Sequence, residues 1–118
     1  MICQHVANYL ANPQQSVDEI WRVLRPGGRC YVALTAVAPY TEGYQTHGDV
    51  VRFTPASPGT IFGRFTDVQV MRAGGVAQAA WNYLPARLRL PALQRLVNTL
   101  DPRIRTNITM AFFVFATK

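Results

Sequence analysis

At 118 residues and 13.2 kDa, the chain has room for one domain or for part of a larger one. It is 49% hydrophobic and 15% charged, which excludes a disordered tail, and its eight Gly and eight Pro are scattered, which excludes collagen-like sequence. The net charge of +6 sits entirely after residue 67: residues 1–67 hold five Arg and five acids, whereas residues 68–118 hold six Arg, one Lys and a single acid, Asp101.

The longest apolar run, residues 110–116, is strand-sized and far short of the roughly 20 residues of a membrane helix. The first residues, Met1-Ile2-Cys3-Gln4-His5, lack the basic region and apolar core of a signal peptide. These features predict a cytoplasmic protein with no transmembrane segment. Cys3, Cys30, His5 and His47 match no zinc spacing, so no metal is expected.

Residues 12–25 predict a helix. Asn12 is a good N-cap, Pro13 suits the first helical position and Gln15 completes a capping box, with Ser16 and Glu19 as a second possible start. Val17, Ile20, Trp21 and Leu24 share one face. Pro26-Gly27-Gly28 stops the helix. Residues 29–37 are almost continuously apolar, as suits a strand buried on both faces of a parallel sheet. Residues 38–60 read as a long loop, and long loops in compact domains are usually functional or mobile. A short helix is expected near 61–65, weakened by Pro58 and Gly59. Residues 66–72 read as a strand with Val68 and Val70 on one face. Residues 77–105 read as two helical pieces broken at Pro85 and Pro91, and 108–117 as the last strand.

The series His5-Val6, Asn12-Pro13 and Val17-Asp18-Glu19-Ile20-Trp21-Arg22-Val23-Leu24-Arg25-Pro26-Gly27-Gly28 resembles the class I S-adenosylmethionine-dependent methyltransferases, most closely the methyltransferase type 11 domain. Pro39-Tyr40 and Arg52-Phe53-Thr54-Pro55 resemble it too. The resemblance covers residues 1–72 and the last strand. It implies an α/β fold, the C-terminal half of a Rossmann-like sheet. Residues 1–5 would end its fourth strand and 29–37 form the fifth. Residues 66–72 would be the sixth, and 108–117 a seventh strand running antiparallel between the fifth and sixth. The Gly-rich turn and acid with which the family holds its methyl donor are not in this sequence. Residues 1–118 therefore read as a partial methyltransferase domain, inactive alone, carrying a basic helical insertion at about 77–105. Gln4 stands where the family usually has Glu, and residues 7–11 read as a short insertion.

Methyl transfer is an in-line displacement, in which the enzyme aligns nucleophile and methyl group and excludes water. A hydroxyl nucleophile also needs a base. In an open α/β sheet the site lies beyond the carboxyl ends of the strands, where Cys3-Gln4-His5 and residues 38–54 would sit. His5 is the first candidate for a base, against the plainer role of orienting the turn that follows it. Gln4 and His5 are the candidates for contact with S-adenosylmethionine. His47, Tyr40, Tyr44 and Arg52 are the candidates for binding a small-molecule methyl acceptor. Arg52 has a structural alternative, pairing with Asp49 to hold the loop. The insertion reads as a lid, as a solvated helix pair or as a surface contact, with no nucleic-acid motif. An open strand edge predicts self-association. The alternative to an enzyme is a non-catalytic binding module built on half of such a fold.

Overall fold

A computed structural model describes residues 1–39, 48–49, 51–104 and 106–118. Four strands form one sheet: β1 (Ile2–Gln4), β2 (Arg29–Thr35), β3 (Thr66–Ala73) and β4 (Ala111–Thr117), in the spatial order β1-β2-β4-β3. β1 runs parallel to β2, and β4 is antiparallel to both of its neighbours. This is the expected order, with the last strand wedged between the fifth and sixth strands of the Rossmann-like arrangement.

The helices are α1 (Pro13–Val23), α2 (Ser57–Ile61), α3 (Val76–Tyr83) and α4 (Pro91–Leu100). α1 begins as its sequence dictates: the Asn12 side chain accepts from the Gln15 backbone N–H at 3.1 Å. The second start is not used, and the Ser16 hydroxyl donates to the Asn12 carbonyl from inside the helix. Gly27 adopts φ +72°, a conformation open to Gly at no steric cost, and turns the chain into β2.

Val17 and Ile20 of α1 and Phe62 and Phe65 after α2 pack on Cys30, Val32, Leu34, Phe112, Val114 and Ala116. Successive strand residues face opposite sides, so the register puts Ile2, Tyr31, Met71, Phe113 and Phe115 together on the other face. Tyr31 meets Phe115 at 4.9 Å and Phe113 at 5.9 Å between ring centroids. Much of that face reaches solvent: Ile2 is 74% exposed and Met71 59%.

The structure shifts several boundaries. α1 ends at Val23, two residues early. β2 ends at Thr35 rather than 37, because the Ala36 and Val37 N–H groups both donate to the Met110 carbonyl. β4 starts at Ala111 rather than 108. The short helix near 61–65 forms earlier, at Ser57–Ile61, and contains both Pro58 and Gly59. Pro is harmless in a first turn, where its missing N–H has no partner to lose. Val68 and Val70 do share the helix-covered side of β3, but Val70 stays exposed near the sheet edge. The helical segment that follows β3 breaks at Pro85 and Pro91 as expected.

Candidate functional site

Beyond the carboxyl ends of β1 and β2 lies a hollow of about 230 Å³ whose walls include His5, Tyr9, Thr35, Pro39, Arg52 and Met110. That is smaller than the roughly 300–1,000 Å³ of clefts for drug-sized ligands, and suits a compact group. A second hollow, of about 250 Å³, lies against Arg29, Asp67 and Thr117 at the opposite end of the sheet. The carboxyl-end hollow is the candidate site because open α/β sheets bind ligands there.

His5 follows β1 directly in a left-handed conformation, φ +51°, which His tolerates better than most residues. A chain of polar contacts starts at its ring. His5 Nδ1 lies 3.5 Å from Thr35 Oγ1, the Thr35 hydroxyl donates to Asn8 Oδ1 at 3.4 Å, and Asn8 Nδ2 donates to Asp49 Oδ1 at 3.0 Å. Asp49 pairs bidentately with the Arg52 guanidinium. The Asp49 side chain is 2% exposed and that of Arg52 31%.

The donor directions follow from chemistry. An ionised carboxylate only accepts, so the Asn8 amide nitrogen faces Asp49 and its oxygen faces Thr35. The Thr35 proton goes to that oxygen. Thr35 Oγ1 therefore accepts from His5 Nδ1–H, the tautomer whose neutral ring keeps its lone pair on Nε2. Asp49 also raises the Arg52 pKa, chiefly through their hydrogen bond, so Arg52 keeps its charge.

Backbone contacts hold this network in place. The Val51 N–H donates to the Asn8 carbonyl at 3.2 Å and the Phe53 N–H to the Thr35 carbonyl at 3.0 Å. Residues 7–9 form a 3-10 turn with Ala7 and Asn8 buried. Across the lip, Tyr83 of α3 donates its hydroxyl to the Ala38 carbonyl at 2.8 Å.

Of the sequence candidates, His5 and Arg52 come together in this hollow, and Arg52 makes the pair with Asp49. Gln4 is exposed, on the sheet face shared with Ala33, and is not among the residues lining the hollow. Tyr40, Tyr44 and His47 lie outside the described residues. Asn8, Thr35 and Tyr83 were not among the sequence candidates. The one local hint was Asn8, a polar residue inside the apparent insertion at 7–11.

The turn at Gly74-Gly75 does not offer a Gly-rich cradle for a ligand. The strand-to-helix turn at Gly74-Gly75 has a left-handed Gly, φ +65°, but the space is filled. A Cβ on Gly74 would meet Met110 Sδ at 2.9 Å and one on Gly75 would meet Asp101 Oδ1 at 2.8 Å. The N–H groups there already have an anion: Asp101 accepts from Gly75, Ala77 and Gln78.

Residues 1–32 match the family described as methyltransferase domain. This is the segment holding β1, α1 and the start of β2. No curated protein matches the chain. Among solved structures, a Bacillus halodurans C-125 protein described as a "putative methyltransferase" aligns at 13% identity with a TM-score of 0.46. The alignment covers 99% of this chain and 62% of that one, so the chain spans less than two thirds of the length of that relative.

Proposed function

We propose that this chain, whose residues 1–32 match the methyltransferase domain, forms the acceptor side of an S-adenosylmethionine-dependent methyltransferase acting on a small molecule. The observation that carries the reading is the polar chain from His5 to Arg52 at the carboxyl ends of β1 and β2. With Nδ1 turned to Thr35, His5 in the wall of the hollow would take up a proton on Nε2. An acceptor hydroxyl or amine placed there gives up its proton to Nε2, while Thr35, Asn8 and Asp49 hold the imidazole in orientation and stabilise the cation that forms. Tyr83 and Pro39 narrow the entrance and limit water. Arg52 is held by Asp49 and shapes the wall. The methyl donor is held by residues other than those described, and the chain alone is inactive.

Calorimetry on the isolated chain tests the first half of this reading. No binding of S-adenosylmethionine is expected, and micromolar binding overturns it. In the active protein that supplies the donor site, His5→Gln should lower kcat about 10²–10⁴-fold, the usual contribution of a positioned base. An unchanged kcat removes His5 from the chemistry.

The filled turn at Gly74-Gly75 favours a second reading, a non-catalytic binding module derived from such a half-domain. Its mark would be a specific ligand or partner with no methyl transfer, even when a donor-binding segment is supplied.

A further inference from the structure

α4 has no buried residue, yet its sequence is amphipathic. Toward α3 it turns Gln94 and Val97, which are half-buried, and Gln94 lies 3.5 Å from Gln78 of α3. Leu93, Leu96 and Leu100, at i, i+3 and i+7, form a stripe left in solvent, with Leu96 52% exposed. Leu88, Leu90 and Ile104 on the flanking turns are exposed as well. A helix that turns an amide inward and exposes its leucines has an unpartnered apolar face.

Charge identifies what covers it. Residues 84–104 carry Arg87, Arg89, Arg95 and Arg103 against one acid, Asp101. The Asp101 carboxylate is turned inward onto the backbone N–H groups of Gly75, Ala77 and Gln78. Among the described residues, none of the four arginines makes an ion pair. Arg89 spends its guanidinium on the carbonyls of Asn82 and Leu84, while Arg87, Arg95 and Arg103 are exposed. Exposed leucines flanked by unpaired arginines complement one surface in particular: acyl chains beneath anionic headgroups, with the long arginine stems letting their charges stay in the headgroup layer. Nucleic acid offers the anions but nothing for the leucines. No described helix is long and apolar enough to cross a membrane, so α4 would lie in the interface plane.

We propose that α4 and its flanking turns dock the protein on an anionic lipid membrane. This stands independently of the acceptor-site reading, since it uses none of the same residues. The test is sedimentation of the full chain with vesicles of phosphatidylglycerol and phosphatidylcholine, compared with phosphatidylcholine alone. Binding is expected to the anionic vesicles and to fall at high salt. Replacing Arg87, Arg95 and Arg103 by Gln should weaken it about fivefold per charge, about a hundredfold together. Leu93→Ser with Leu96→Ser and Leu100→Ser should abolish it, with the circular-dichroism melt showing that the fold persists. No binding, equal binding to neutral vesicles, or binding indifferent to the arginine variant overturns the proposal. So does retention on nucleic acid without retention on vesicles. A solution dimer that the leucine variant dissolves, with no vesicle binding, would assign the stripe to a second copy instead.

Discussion

Asp49 is the anchor of the polar chain at the hollow. It orients Asn8 through one oxygen and holds Arg52 through both. Asp49→Asn keeps the shape but halves the acceptors, so it should cost about 1–3 kcal/mol, the range for a buried hydrogen-bonding group left unmatched. Urea unfolding measures it, and a loss below a few tenths would mean that the network is not structural. The thiols make a second prediction. Burial raises the pKa of both Cys3 and Cys30 above the ordinary 9.0. As pH rises past that value, the unfolded thiols ionise first. The stability they contribute is thus complete below the ordinary value and drains away as pH climbs toward the folded values. Melting temperatures across about pH 8 to 10 should fall less steeply in Cys30→Ala than in the parent. His5 was legible because a titratable group at the end of an edge strand is visible in the sequence. Thr35 and Asn8 were not, since they meet across 27 positions and Asn8 meets Asp49 across 41.

Among the elements, α3 depends on a residue far from it in sequence. It has no side-chain cap of its own, and Asp101 supplies one from the end of α4, at 2.9 Å to Ala77 N and 3.0 Å to Gln78 N. The negative charge also suits the positive end of the helix. Asp101→Ala should cost about 1–2 kcal/mol, as lost N-caps do, and hydrogen exchange should show α3 fraying before α1. Equal protection of the two helices in the variant would count against this account. α1 was readable almost to the residue, since its cap, its Pro and its apolar face are all local. α2 was displaced because Pro58 and Gly59 read as breakers when Pro58 in fact sits in the first turn. At α1's other end, Trp21 lies between Arg64 and Lys118, 4.1 and 4.3 Å from its ring centroid. Lys118 also donates to the Leu24 carbonyl at 2.6 Å. No local pattern announces a clamp across 94 positions.

At the scale of the whole molecule, the sheet is asymmetric. One face is sealed by α1 and α2, while the other presents Tyr31, Phe113 and Phe115 with Ile2 and Met71 beside them. The outer edge of β1 is unpaired among the described residues. Parallel strands normally have both faces covered, so this edge and face invite a further strand or a second copy. The chain should self-associate as its concentration rises. Ile2→Lys, placing a charge on the edge strand, should shift light-scattering masses back toward the monomer. A parent that stays monomeric at high concentration would argue against an exposed edge. The strand order itself was legible once the Arg-Val-Leu-Arg-Pro-Gly-Gly segment was recognised, because that fixes which strand follows which. The environment of residues 77–105 was not. The helical spacing of Leu93, Leu96 and Leu100 leaves a lid, a solvated helix pair and a surface contact all open, and only the fold reveals that these leucines face outward.

β4 has a further consequence for how the sheet comes into being. It follows the other three strands in the chain yet sits between β2 and β3, which never touch in the sheet. A ribosome releases β2 and β3 long before the strand that joins them, and the pairing of Arg29 with Thr117 closes a loop of about three quarters of the chain. Until β4 arrives, β2 has only β1 to pair with and β3 has no strand at all. Such distant pairings are slow to form, so the sheet closes only once β4 has been made, and the strands ahead of it need shielding from aggregation until then.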